Sequence, residues 1–312
     1  MSAPKEDELW PRASAWLQLA ETGAPDAASA TGANPPTYDL GLMGIPAHLT
    51  SISPTNAHTT PAAIRAALQR YSTFNWSNET DVAQLAFADF GDVTEPDSPA
   101  GEARTSQLAA TASARSGLTI GLGGDNSVTF AMARGVFGSH VETAGLITLD
   151  AHHDLRDGVS NGSPVRRLVD ELGLDGRRIV QIGIADFSNS PAYAARARDL
   201  GITVIPRTAL RNRTMADVMA EAVSIAGAAG GPIHVDFDVD VCDRSVVPAC
   251  PAAAPGGISA DEFRQLAFEA GRYSQVRSVD FTEIDASIDS ADGRTVRLAA
   301  LAILELAAGR LA

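Results

Sequence analysis

The segment Asp150-Ala151-His152-His153-Asp154 places two carboxylates and two imidazoles in five consecutive positions, directly after the apolar run Gly145–Leu149. An apolar run of that kind reads as a buried parallel strand. In extended chain alternate side chains share a face, which turns Asp150, His152 and Asp154 the same way. Groups crowded like this are desolvated and repel one another unless a cation lies among them. Oxygen and imidazole donors suit a hard or borderline divalent ion such as Mn2+. A second run, His234-Val-Asp236-Phe-Asp238-Val-Asp240, alternates strictly, with polar groups on one face and Val235, Phe237 and Val239 on the other. Either run alone is compatible with a charged surface strand. Two of them in one chain favour a metal centre.

Elements able to position these runs follow from the hydrophobic pattern. Strands are predicted over 38–46, 85–91, 117–123, 145–150, 178–184, 202–206, 232–240 and 276–283. Helices are predicted around 61–71, 102–116, 127–137, 163–173, 191–199, 214–229, 259–273 and 293–310, with glycines and prolines at the joints. Strict alternation of strand and helix implies an α/β fold with a parallel sheet. Eight units also fit a closed barrel, and in either architecture ligands collect at the carboxyl ends of the strands. Residues 1–37 read as an N-terminal arm, with a short helix possible over Leu9–Leu19 and a loop over 22–37, and residues 38–312 as a single catalytic domain.

Composition narrows the function. The chain has 312 residues, 45% of them hydrophobic, and a formal net charge of −14. That charge argues against nucleic acid and anionic membranes as partners, though not against a small anion in a local pocket. The opening Met-Ser-Ala-Pro-Lys-Glu-Asp-Glu has no secretory pattern and no apolar run is long enough to span a bilayer, so a cytoplasmic protein is expected. Cys242 and Cys250 are expected to be reduced and buried. The third strand runs into Gly121-Leu-Gly-Gly-Asp-Asn126-Ser127, which is not the spacing of a dinucleotide-binding turn.

Taken in order, these motifs resemble the ureohydrolase family of arginase, agmatinase and formimidoylglutamase. Gly123–Ser127 is similar to its Gly-Gly-Asp-His-Ser, and Asp150–Asp154 to its Asp-Ala-His-x-Asp. Asp238-Val-Asp240-Val-Cys-Asp243, followed by Pro248 and Pro255-Gly256-Gly257, resembles its third signature; Glu283 and Thr295–Ala300 resemble its closing motif. The resemblance extends from residue 38 to the end. It implies a three-layer α/β/α sandwich with a mainly parallel eight-stranded sheet, which decides between sheet and barrel. It also implies a two-manganese site: Asp150 and Asp238 bridging, His152 and Asp240 on one ion, Asp154 and Asn126 on the other. Water shared by two cations is acidified toward neutrality and can attack the planar carbon of an amidine or guanidinium. Asp154 would move a proton to the departing nitrogen, and Glu283 would hold the cationic end of the substrate. Trimers or hexamers are implied as the assembly.

The departures from the family pattern choose among substrates. Asn126 stands where most members carry His, and an amide oxygen is the weaker ligand, so one ion is expected to bind weakly. His153, by alternation, faces away from His152 and is expected to pack or hydrogen-bond. Asp236 replaces a smaller residue and either supports the ligands from behind or pairs with a cation. Asn161 occupies the place of a proton-shuttling His, in a loop that resembles that of formimidoylglutamases. Arg156, two residues past a ligand, suits an anionic substrate tail through its bidentate fork, the alternative being an ion pair with Asp157 or Asp170. Arg166 and Arg167 read as surface or interface residues, and Asn56 as a candidate substrate contact. The leading expectation is Mn2+-dependent hydrolysis of N-formimidoyl-L-glutamate to glutamate and formamide. A guanidino-acid hydrolase or agmatinase releasing urea is the first alternative, and an inactive metal-binding scaffold the second.

Overall fold

The computed structural model describes residues 7–21 and 37–312. Nine parallel strands form one sheet: β1 Gln18–Leu19, β2 Tyr38–Ile45, β3 Phe87–Asp92, β4 Ser116–Gly123, β5 Gly145–Leu149, β6 Ile179–Ile184, β7 Thr203–Pro206, β8 Ile233–Asp238 and β9 Val276–Thr282. Their order across the sheet is β1-β3-β2-β4-β9-β8-β5-β6-β7. Eight of the nine are the strands predicted from the apolar runs, and the sheet is open, with edges at β1 and β7.

Helices cover both faces. α1 Thr60–Ala67, α6 Met215–Ala226, α7 Ala260–Arg272 and α8 Arg294–Arg310 pack on one side. α2 Pro99–Arg115, α3 Val128–Phe137, α4 Pro164–Asp170 and α5 Pro191–Asp199 pack on the other. The central strands are buried on both faces, which is why they read as apolar runs. Phe237, Phe263 and Phe281 meet between sheet and helix layer, with Phe237 and Phe281 rings 5.2 Å apart. Both cysteines are buried and free, as expected.

The segment expected as a helix over Leu9–Leu19 is instead a turn, a 3-10 stretch Ala13–Ala15 and the edge strand β1. Pro11 cannot continue a helix. The backbone finds other partners: Ala13 N donates to Tyr71 O and Ala20 N to Asp89 O. Trp16 anchors the segment, its indole N–H donating to Leu85 O and its ring 4.7 Å from that of Phe87. This part of the N-terminal arm is therefore built into the sheet. The loop expected over 22–37 lies, except for its last residue, outside the described residues.

The order of the sheet is what assembles a site. β4, β9, β8 and β5 are immediate neighbours at its centre, with β2–β3 growing outward on one side and β6–β7 on the other. Such a switch opens a crevice at the carboxyl ends of the strands. All four motif-bearing strands end there.

Candidate metal centre

β5 stops at Leu149, so Asp150–Asp154 is not extended chain as the alternation argument supposed. Turn geometry does the work. His152 N donates to Asp150 Oδ1 at 2.5 Å and Ala151 N to Asp240 Oδ1 at 2.9 Å, folding the loop back over β8. β8 likewise ends at Asp238 and continues as a 3-10 turn, in which Asp240 N donates to Asp238 Oδ1 at 2.8 Å. Asp154 sits in the left-handed region at φ 53° and Glu283, just past β9, at φ 63°. Each such residue costs about 1–3 kcal/mol and persists where the surroundings over-determine it, often at a working site. The turn carrying Asn126 comes close because Gly124 has no side chain: a Cβ there would lie 1.7 Å from Ala47 O.

Two groupings of ligand atoms result, each with all its atoms within 4.8 Å of one another: Asp150, His152 and Asp240, and Asp150, Asp154 and Asp236. Asp150 is common to both. His152 Nδ1 lies 2.7 Å from Asp240 Oδ2 and 3.4 Å from Asp150 Oδ1. Asp238 belongs to neither grouping; it lines the adjoining cavity beside Asp240, Asp154 and Glu283. Asn126, buried, donates through Nδ2 to Asp154 Oδ2 at 2.6 Å, while its Oδ1 accepts from Thr129 and Thr282 hydroxyls at 2.8 and 3.0 Å.

The electrostatics are those of a cation site. Burial pushes Asp150 up to about 8, with Asp240 adding repulsion. Asp154 and Asp238 are also raised, by burial first and then by neighbouring carboxylates. Burial lowers the His152 imidazole, but Asp150 and Asp240 outweigh it and hold the ring up at about 12. Asp150 Oδ2 and Asp236 Oδ2 are buried without a hydrogen-bond partner among the described residues. Buried carboxylate oxygens are rarely left unpaired, and a divalent cation satisfies such a donor set. The residues therefore fit the metal.

Around the centre the other candidates fall as follows. Glu283 Oε1 accepts from Asn126 N at 2.7 Å and from Asn161 Nδ2 at 3.0 Å, which ties the loop after Asp154 to β9. His153 belongs to neither ligand grouping; its Nδ1 lies 2.6 Å from Gln181 Oε1, matching the hydrogen-bonding expectation, although the residue also lines the adjoining cavity. A cavity of about 290 Å³ opens onto His152, Asp154, Asp238, Asp240 and Glu283, with Arg156 also in its wall. Arg156 is exposed, and the partners it might have taken are engaged elsewhere: Asp157 with Arg196 at 2.9 Å and Asp170 with Arg166 at 3.0 Å. One expectation is corrected. Arg167 is buried, clamped by Glu102 and Glu171 and stacked 3.7 Å over Phe130, so it is a core residue and not a surface one. Asn56 lies outside the cavity lining, its backbone held by Asp285 and its amide by Ser287. A second groove, about 550 Å³ beside Trp76, α7 and α8, is lined by none of these groups.

Sequence reasoning missed the row beneath the centre. Ser278, Asp280 and Thr282 alternate with Val279 and Phe281 on β9, in register with His234, Asp236 and Asp238 on β8. The signal was present as a second alternating strand. His234 spans the pair, Nδ1 2.7 Å from Ser278 Oγ and Nε2 3.2 Å from Asp280 Oδ2.

A parallel sheet with acids converging at its central switch point makes a candidate metal centre, and comparison identifies the class. Residues 38–309 match the arginase family; the chain belongs to that family and is a metal-dependent amidine hydrolase of it. It is 36% identical over 279 residues to a formimidoylglutamase of Halalkalibacterium halodurans, covering 87% of each chain. The crystal structure of Bacillus subtilis formimidoylglutamase superposes with a TM-score of 0.88 at 27% identity, covering 98% of this chain and 94% of that one. Trypanosoma cruzi formiminoglutamase, solved with Mn2+, gives 0.82 at 25% identity, covering 96% and 98%.

Asn126→His is expected to raise the retained manganese. Elemental analysis of the purified wild-type chain should give fewer than two ions per chain and the variant close to two, since imidazole is the better transition-metal ligand. Equal, tight binding of two ions by both would contradict the expectation.

Proposed function

We propose that this chain hydrolyses N-formimidoyl-L-glutamate to L-glutamate and formamide, with two Mn2+ ions as cofactor. The observation that carries the reading is the charge order of the cavity: carboxylates and buried Glu283 line it, and the exposed Arg156, with no ion-pair partner among the described residues, is in its wall. A cationic amidine suits the first and a carboxylate tail the second. The names of the H. halodurans and B. subtilis relatives point the same way.

In this reading the ions, when bound, supply acidified water for attack on the amidine carbon. The chain does the rest. Glu283 accepts from the amidinium N–H groups and is itself oriented by Asn161 and by the backbone of Asn126. Arg156 takes a carboxylate of the glutamyl part through its fork. The Asp154 carboxylate, in the cavity lining, would take up the proton that the attacking water gives up and pass it to the departing nitrogen of glutamate as the C–N bond breaks. Asn161 cannot relay a proton; the better leaving group of an amidine tolerates that more readily than an alkylguanidine does. We take residues 38–312 as one catalytic domain and a trimer or hexamer as the assembly.

Formamide release from N-formimidoyl-L-glutamate with added Mn2+ tests the substrate. Urea release from a guanidino acid or agmatine instead would overturn it, and full metal loading without turnover of any amidine or guanidine would leave a scaffold. Arg156→Ala should lower kcat/KM about 10- to 150-fold, as loss of a charge-assisted hydrogen bond worth about 1.5–3 kcal/mol implies. The loss should appear mainly in KM, with partial recovery in Arg156→Lys. An unchanged KM would place the substrate tail elsewhere.

A further inference from the structure

We propose that Asp236 is a direct ligand of the divalent ion beside Asn126, supplying the charged donor that the neutral amide lacks. The inference deepens the two-ion reading above and rests on it.

Asp236 lies on β8 two residues before Asp238, fully buried, with one carboxylate oxygen within 4.8 Å of ligand atoms of both Asp150 and Asp154. Its Oδ1 accepts weakly from Thr282 Oγ1 at 3.4 Å; its Oδ2, like Asp150 Oδ2, has no hydrogen-bond partner among the described residues. Among the described residues no Lys or Arg is paired with it: its register neighbours are Asp280 on β9 and Thr148 on β5. A merely structural role fits this geometry poorly: without a cation an ionised carboxylate here is buried and repelled by Asp280 and Asp154, and the Thr282 hydroxyl and Asn126 amide are all that oppose this. Asn126 meanwhile gives its oxygen to two hydroxyls and its NH2 to Asp154, which makes it a holder of Asp154 before it is a ligand. The remaining set for this ion, Asp150, Asp154 and Asp236, is all oxygen, as Mn2+ accepts. The other ion keeps the imidazole of His152 with Asp150 and Asp240.

Titration calorimetry with Mn2+ and the exchange-coupled EPR signal of a manganese pair test this on the wild type, Asp236→Asn, Asp236→Ser and Asp236→Asn/Asn126→His. The expected result is two ions in the wild type. The second should be weakened at least tenfold in both single variants, with the pair signal lost at metal concentrations that saturate the wild type, and affinity should return when His is added at 126. Second-ion affinity unchanged or tighter in folded Asp236→Asn and Asp236→Ser overturns the assignment while leaving the two-ion reading intact. A wild type that binds fewer than two ions at saturation overturns both.

Discussion

Asp150→Asn should cost the enzyme both ions and at least about a thousandfold in kcat, the scale of several kcal/mol of transition-state stabilisation supplied by a metal site. Asp150 is the carboxylate common to both ligand groupings and is fully buried. The same substitution should stabilise the metal-free protein, and the sign depends on pH. Burial, then Asp240, pushes Asp150 from its usual value up to about 8. The folded state therefore binds the proton more tightly than the unfolded chain, and its contribution is fully present below about pH 4 and lost as pH rises through about 8. In chelator the wild type should lose Tm across that window, and the variant should lose less, standing several degrees higher at pH 9. Added Mn2+ reverses the order, because ligands must be deprotonated to bind: its stabilisation of the wild type grows with pH and vanishes in the variant. Differential scanning calorimetry across pH 5–9, with and without Mn2+, reads both. A wild-type apoprotein that gains stability from pH 5 to 8 would falsify the electrostatic account of the cluster.

The second large effect is at Glu283. Glu283→Gln is expected to lower kcat/KM about 30- to several-thousandfold, from the roughly 2–5 kcal/mol lost when one member of a buried, hydrogen-bonded charge pair is neutralised. Manganese content should stay at the wild-type level, because Glu283 belongs to neither ligand grouping. Burial, then repulsion from Asp125, pushes Glu283 up to about 7, against the opposing hydrogen bonds of Asn161 and Asn126. The ionised form binds the cation, so the wild-type kcat/KM should rise with pH along an acid limb at or below about 7, which the Gln variant lacks. Retention of both the limb and the rate in Glu283→Gln would move cation recognition to another group.

Much of this was legible before any coordinates. The eight long strands announced themselves because parallel strands buried on both faces are apolar runs, and glycines and prolines marked their ends. Asp150, His152, Asp154 and Glu283 stood out as candidates because they follow such runs, and Asp238 and Asp240 because polar and apolar residues alternate strictly over 234–240. What alternation could not supply was the path beyond a strand end. Asp154 converges on Asp150 through a left-handed residue and a loop folded by Asp240, not through shared strand geometry. Sheet order was equally hidden: β9 lies between β4 and β8, and only that neighbourhood sets Asp280 against Asp236 and Thr282 against Asn126. The Leu9–Leu19 segment misled because its residues favour helix locally, while Pro11 and the open edge of β3 favour a strand. Arg167 misled because a guanidinium can be buried once two carboxylates and an aromatic face surround it.

The account turns on cations lying among these acids, and anomalous scattering at the manganese edge from Mn2+-saturated crystals tests it most directly. We expect two peaks about 3.5–4 Å apart, the spacing of two-metal sites, one against His152 and Asp240, the other against Asp154 and Asp236, with Asp150 between them. Saturated protein showing no manganese among these carboxylates would contradict it.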